Sequence, residues 1–223
     1  MMRRFILILG TIALLSGCTP NQNALSKNTD VFILIDPGHG GFDGGTVTED
    51  GTTEKHINLA ISLQLRDILT VFGVPVEMTR DSDAALQEDG LDTIRQKKVS
   101  DMKKRLSLYD CASVVISIHQ NHFSVPKYSG TQVFYSKNHP DSVMLAENVQ
   151  NIVRSQLQPE NNREIKAATD GIYLLHHTTT VAVLVECGFL SNPTERKLLL
   201  DETYRQTMAF AIAAGYFQYT LQK

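Results

Sequence analysis

The run VFILIDPGHGGFDGG, from Val31 to Gly45, sets the architecture of this chain. Val31 to Ile35 is a short unbroken apolar stretch, the pattern of a strand in a parallel sheet covered on both faces. It stops at Asp36-Pro37, and Gly38, Gly40, Gly41, Gly44 and Gly45 then deny the segment regular structure. Glycines let a backbone approach a ligand closely. His39 therefore stands at the carboxyl end of a buried strand, the edge where open α/β sheets bind ligands. On this stretch alone the plainer reading, a surface histidine in a turn, stands first.

Downstream, Glu54-Lys55-His56 opens a run with Ile57, Ile61, Leu65, Ile68 and Phe72 at helical spacing. Gly73 closes that helix, and Val74 to Met78 is a second strand. A strand, a helix and a strand in this order make a parallel crossover. Glu54 is thereby placed at the first turn of a helix leaving the same sheet edge as His39, where a carboxylate also suits the helix dipole with no further role. Thr93 to Asp110 is a second helix, with Val99, Met102, Leu106 and Tyr109 on one side. Its other side carries Arg95, Lys97, Lys98, Lys103, Lys104 and Arg105, the pattern of a solvated face.

Ser113 to Ile118 is a third apolar strand and ends in His119, so a histidine again stands where a buried strand stops. Thr131 to Tyr135 alternates as an edge strand, Pro140 to Leu157 is a helix, Gln158 to Asp170 a loop, and Ile172 to Leu175 a short strand. Val181 to Val185 is the last strand and ends in Glu186. Asn192-Pro193-Thr194-Glu195 begins a helix with a cap, a first-position proline and a third-position carboxylate, and a final helix runs from about Glu202 to Tyr219. The expected fold is α/β: one domain over residues 31–223, with a mostly parallel mixed sheet of about six strands covered by helices on both faces.

The 223 residues suit one such domain and a short leader, and a formal charge of −3 without a basic tract argues against nucleic acid as partner. Trp is absent, so any aromatic sugar-stacking surface would use Tyr or Phe. Residues 1–18 read as a targeting segment: a basic start at Met1 to Arg4, an apolar stretch from Phe5 to Leu15, and small residues closing it. Leu15-Ser16-Gly17-Cys18 looks like a bacterial lipobox, which implies cleavage before Cys18 and a lipid on its thiol; an ordinary signal peptide or uncleaved anchor is the alternative. Residues 19–30 are polar and aperiodic, a flexible tether. All three options place the protein outside the cytoplasm, at the outer face of the cytoplasmic membrane where it is anchored.

Four groups now fall at one sheet edge: His39, Glu54, His119 and Glu186. Catalytic zinc takes three protein ligands drawn from imidazole and carboxylate, and His39, Glu54 and His119 supply that set for one Zn2+ per chain. Such a cation polarises a carbonyl and acidifies water. Glu186, a carboxylate outside the ligand set, is then placed to take a proton from water and pass it to a leaving nitrogen. The common short signatures, HExxH among them, are absent from the sequence. From topology alone a zinc hydrolase and a sheet-edge binding site without chemistry stand level.

The motifs add a family. DPGHGG at Asp36 to Gly41, EK and NLA within Glu54 to Ala60, SIHQN at Ser117 to Asn121, GTQVFYS at Gly130 to Ser136 and VECGFLSN at Val185 to Asn192 resemble the zinc-dependent N-acetylmuramoyl-L-alanine amidases. With DGIYLL at Asp170 to Leu175 they most resemble the spore-cortex, germination-specific branch. The resemblance implies an amidase domain over residues 31–223, zinc on His39, Glu54 and His119, Glu186 as general base and acid, and hydrolysis of the amide between muramic acid and the L-Ala of peptidoglycan stem peptides. In that branch, stem removal prepares muramic acid for δ-lactam formation, with a muramic acid deacetylase acting next, an accessory lipoprotein as a possible partner, and the spore intermembrane space as the location in a spore former. The alternative is a membrane-tethered muropeptide-binding lipoprotein whose metal site is inactive or partner-dependent. Two departures stand out: Gln120 and His122 are bulkier than the residues the family often has there, which would narrow the groove, and a lipobox is not general to the family.

Other residues carry weaker expectations. His122 is read as a groove wall, His176 and His177 as surface residues, and His56 as a neighbour of Glu54. Asp36 is read as fixing the glycine loop or bonding a ligand imidazole. Arg163 is read either as a partner of a stem-peptide carboxylate or as part of an exposed ion pair. Cys111 and Cys187 are read as separate core residues.

Overall fold

The computed structural model describes residues 32–223, so the leader, Cys18 and the tether lie outside the described residues. Ile33–Pro37 (β1) and Val114–Asn121 (β3) pair in parallel, as do β1 with Val76–Met78 (β2) and β3 with Val181–Phe189 (β6). Gln132–Tyr135 (β4) runs antiparallel to β6 and carries Lys166–Ala167 (β5) on its far side, giving the order β2-β1-β3-β6-β4-β5. This is the expected α/β fold, a six-stranded mixed sheet.

Alternation along the strands divides the core. Ile33, Ile35, Ile116, Ile118, Val183 and Val185 face Glu54–Val71 (α1), Asp141–Leu157 (α3) and Glu202–Leu221 (α6). The helix α1 meets them with Ile57, Ile61, Leu65 and Leu69, all buried at four-residue spacing. On the opposite face Leu34, Val115, Ala182 and Leu184 pack against Ile94–Tyr109 (α2) and Tyr173–His177 (α4). Beyond that second cluster the same face continues through Asp36, Ser117, His119 and Glu186, which is where the candidate site begins. Pro193–Leu200 (α5) follows β6, capped by the Asn192 side chain.

Four readings are corrected. Ile172 to Leu175 is not a strand: Ile172 caps α4 and Tyr173 to Leu175 open it, with Leu174 and Leu175 packed into the second apolar cluster. The sixth strand is β5, inside the expected loop, so Thr131 to Tyr135 is not the sheet edge. Both β3 and β6 run past their apolar stretches, so His119 and Glu186 sit within strands and face each other in register. Of the two cysteines among the described residues, Cys111 is exposed and Cys187 is buried in the core.

Candidate metal centre

The loop after β1 is tied to the sheet at its first residue, where Gly38 N–H donates to Ile118 O at 3.0 Å. His39 then has φ 63°, a left-handed conformation that non-glycine residues seldom adopt and that marks functional sites. Its imidazole is held between two carboxylates, with Nδ1 2.9 Å from Asp43 Oδ2 and Nε2 3.2 Å from Glu54 Oε1. His119 reaches the same Glu54 oxygen with Nδ1 at 3.0 Å. One ligand atom from each of His39, Glu54 and His119 lies within 4.8 Å of the others. The structure therefore brings together three groups that the sequence separates by up to 80 positions, from residue 39 to 119.

This cluster fits zinc by donor chemistry and by spacing. Ligand atoms about 2.0–2.1 Å from one tetrahedral ion stand about 3.3 Å from each other, close to the 3.2 and 3.0 Å separations at Glu54 Oε1. A carboxylate on the remaining nitrogen of a ligating imidazole, here Asp43 on His39, is the usual orienting partner. Burial opposes charge at both His39 and Glu54, and their charged neighbours outweigh it. Asp43 and Glu54 hold the His39 imidazole protonated up to about 9, and the two histidines hold Glu54 well below the usual carboxylate range.

Glu54 is only 4% exposed and is fixed from three sides. Thr46 N–H donates to Oε2 at 2.9 Å, Gln120 N–H to Oε1 at 3.1 Å, and Asn58 Nδ2 to Oε1 at 3.4 Å. Gln120 turns its side chain inward, donating from Nε2 to Asn58 Oδ1 at 3.1 Å, so it braces the site rather than narrowing a groove.

Beneath the loop lies machinery that the sequence reading missed. Asp36 is fully buried and accepts from Thr79 Oγ1 at 2.6 Å, Tyr109 Oη at 2.6 Å and Ser117 Oγ at 2.9 Å, and pairs with Arg105 Nη1. Burial alone would raise its pKa; Arg105, Thr79 and Tyr109 hold it well below the carboxylate range. Arg105, expected on the solvated face of α2, is 2% exposed and also donates to Pro37 O at 3.1 Å and His39 O at 2.8 Å. Arg80 donates to Pro37 O, Gly38 O and His39 O at 3.0, 3.0 and 2.7 Å. Two arginines thus occupy three successive carbonyls and fix the strained His39 backbone. Asp36 fixes the loop as expected, through Arg105. Asp43 had a visible signal, a carboxylate four residues after His39; Arg80 had none.

Glu186 stands beside His119 across β3 and β6, with Gln132 of β4 on its other side. It lines a cavity of about 270 Å³ together with His39, His119, Met102 and Tyr173. Its Oε2 is buried with no hydrogen-bond partner among the described residues. Burial and the Glu54 charge push its pKa up to about 7, against the pull of His119 and His39. A carboxylate so poised can both accept and release a proton near neutrality.

The remaining candidates stay outside the site. His122, His56 and His177 are exposed, and His176 packs against His177. Arg163 enters no ion pair among the described residues: its guanidinium lies 4.6 Å from the Phe189 ring centroid and donates to Ser129 O at 2.7 Å.

Comparison with known proteins agrees with this arrangement. The family model for N-acetylmuramoyl-L-alanine amidase matches residues 33–217. The germination-specific N-acetylmuramoyl-L-alanine amidase of Bacillus subtilis is 36% identical over 194 residues, spanning 86% of this chain and 81% of that protein. The CwlD amidase of Clostridioides difficile, solved in complex with the GerS lipoprotein, is 41% identical and superposes with a TM-score of 0.83 over 87% of this chain and 100% of its own. The N-acetylmuramoyl-L-alanine amidase of Clostridium difficile 630 is 28% identical, with a TM-score of 0.75 over 86% of this chain and 98% of its own. This chain belongs to the N-acetylmuramoyl-L-alanine amidases and is an enzyme of that family.

Proposed function

We propose that His39, Glu54 and His119 hold one zinc ion and that the enzyme hydrolyses the amide joining N-acetylmuramic acid to the L-Ala of the peptidoglycan stem. The observation that carries this reading is the placement of Glu186, unpaired at Oε2, in register with His119 beside a complete ligand set. Zinc bound there supplies Lewis acidity for the scissile carbonyl and for water. Glu186 accepts a proton at Oε2 as water adds to the carbonyl carbon, then returns it to the nitrogen as the carbon–nitrogen bond breaks. Asp43 keeps the His39 ring oriented, and Arg80 and Arg105 keep its backbone from relaxing.

The biological setting is read from relatives. The 36% and 41% identities to a germination-specific amidase and to CwlD support a role in spore cortex, where removal of the stem precedes muramic δ-lactam formation by a deacetylase. The relative solved with a lipoprotein supports an accessory lipoprotein partner for this chain. An amidase of wall peptidoglycan acts outside the cytoplasm, and the lipobox-like leader supports anchoring there. No helix among the described residues is long and apolar enough to cross a membrane.

The test is stem-peptide release from purified peptidoglycan by the full-length protein, measured against zinc content. Release that rises with zinc occupancy and stops with a chelator is the expected result. Zinc bound without release from either vegetative or cortex peptidoglycan would favour the muropeptide-binding reading instead.

A further inference from the structure

The exposed side of α2 is not a featureless solvated face. The cavity at Glu186 shares Met102 and Tyr173 with a second depression of about 260 Å³, otherwise lined by Lys98, Val99 and Lys103. That depression in turn shares Val99 and Lys103 with a third, of about 570 Å³, which adds Arg95 and Lys104. The three are neighbours through these shared residues, in sequence from the Glu186 cavity to the outer surface of α2. Arg95 stands two turns from Met102, about 10 Å along the helix, a distance that about three extended residues cover.

The inner cavity is acidic, with Asp36, Asp43, Asp101 and Glu186 in its lining, whereas the two outer depressions are mainly cationic. Lys98 is held at its inner end by Asp43 at 3.0 Å, the same carboxylate that orients His39. Arg95, Lys103 and Lys104 are exposed and enter none of the ion pairs found among the described residues. Glu88 is the one acidic residue lining the outer depression, and the middle one has none. Val99, 49% exposed, and Tyr173, 36% exposed, give the path an apolar floor between the cations.

We propose that this trench receives the acidic peptide on the leaving-group side of the scissile amide, with Lys103 and its neighbours pairing with the peptide carboxylates. The inference rests on the amidase reading and adds the direction in which substrate lies. Its chemical ground is simple. The acid group of a muramoyl unit is its lactyl carboxyl, which the amide consumes, so the N-acetylated glycan side of the substrate is neutral. Fixed negative charge is left on the peptide. Exposed cations that enter no ion pair among the described residues, in the depressions next to the catalytic cavity, are complementary to that half and not to the other.

Two soluble substrates test this: N-acetylmuramoyl-L-Ala extended by a peptide with free carboxylates, and the same compound with those carboxylates amidated. The full-length protein is expected to favour the acidic substrate by about tenfold in kcat/KM, carried by KM, since each exposed charge contact is worth up to about fivefold in affinity. The K103Q/K104Q variant should lose that preference, and raised salt should erase it in the unaltered enzyme. Lys97 lies on the same helix but lines none of these depressions, so K97Q should keep the preference. An unchanged preference in K103Q/K104Q, or an equal loss in K97Q, would overturn the proposal. If neither soluble substrate is cleaved, the amidase reading is judged by release from peptidoglycan, separately from the trench. Titration of the acidic peptide alone then judges the trench: weaker binding to K103Q/K104Q supports it and equal binding overturns it. Loss of binding to anionic phospholipid vesicles with KM unaltered would assign the face to a membrane and equally overturn it.

Discussion

At Gly45 the backbone has φ 65°, and a Cβ built there would lie 2.6 Å from both Glu54 Oε2 and His39 Cδ2. The residue is therefore fixed by the ligand cluster as well as by the turn. Gly38 is constrained in a related way, since a Cβ on it would run into the His119 ring. Replacing Gly45 with Ala should displace Glu54 or His39 and weaken zinc binding by about ten- to a hundredfold, the cost typical of disturbing a ligand's supports. Competition against a chromophoric chelator measures it; zinc affinity unchanged in Gly45→Ala would mean the loop yields without moving the ligands. His39→Ala is a harsher change and should remove both zinc and turnover, measured by metal content and stem-peptide release. The sequence places these glycines in an irregular loop, but which of them touch a ligand depends on the distant Glu54 and His119 side chains.

The candidate site draws on the loop after β1, the first turn of α1 and the interiors of β3 and β6, and its loop is held by buried polar contacts rather than by the apolar core. The Asp36 and Arg105 pair ties β1 to α2, and Arg80 ties the segment after β2 to the same loop. Removing one partner of a buried ion pair leaves the other charge uncompensated, so Arg105→Met should destabilise the fold by about 3–5 kcal/mol. Urea unfolding checks this, and a loss below about 1 kcal/mol would mean that water reaches Asp36. The pH dependence has a definite sign. Asp36 has a depressed folded pKa, so its contribution is fully present above the ordinary value of 3.8 and is lost as pH falls below it. Asp36→Asn should flatten that acid limb of the stability profile while lowering stability at neutral pH. Much of this level was legible: apolar runs gave β1, β3 and β6, and four-residue spacing gave α1. The two-residue β5 has no pattern to read, and the apolar run at 172–175 fits a strand as well as the helix it enters. Arg105 sits among lysines, and its partner Asp36 lies 69 residues earlier, so nothing local sets it apart.

Across the whole molecule, the sheet gathers residues from β1, α1, β3 and β6 at one edge, while α2 and α4 wall the cavity above them. The topology that produces this was readable because parallel strands must end at a common edge. His39 and His119 were readable as candidates because each stands where an apolar strand run stops, and Glu54 because it opens an amphipathic helix from the same edge. Register was not: that Glu186 lies beside His119, and not a residue to either side, follows from the pairing of Val114 with Val181 at the far end of the strands. Zinc that binds only the folded state should raise the melting temperature of the full-length protein, and by a similar amount in Glu186→Gln, whose ligands are intact. The most direct measurement is zinc content and stem-peptide release determined side by side for the unaltered enzyme and Glu186→Gln. The account predicts one zinc per chain in both and a fall in release of about 10² to 10⁴-fold in the variant. Full release by Glu186→Gln, or loss of its zinc, would contradict the assignment of Glu186 as the proton-transferring carboxylate beside a His39, Glu54 and His119 metal site.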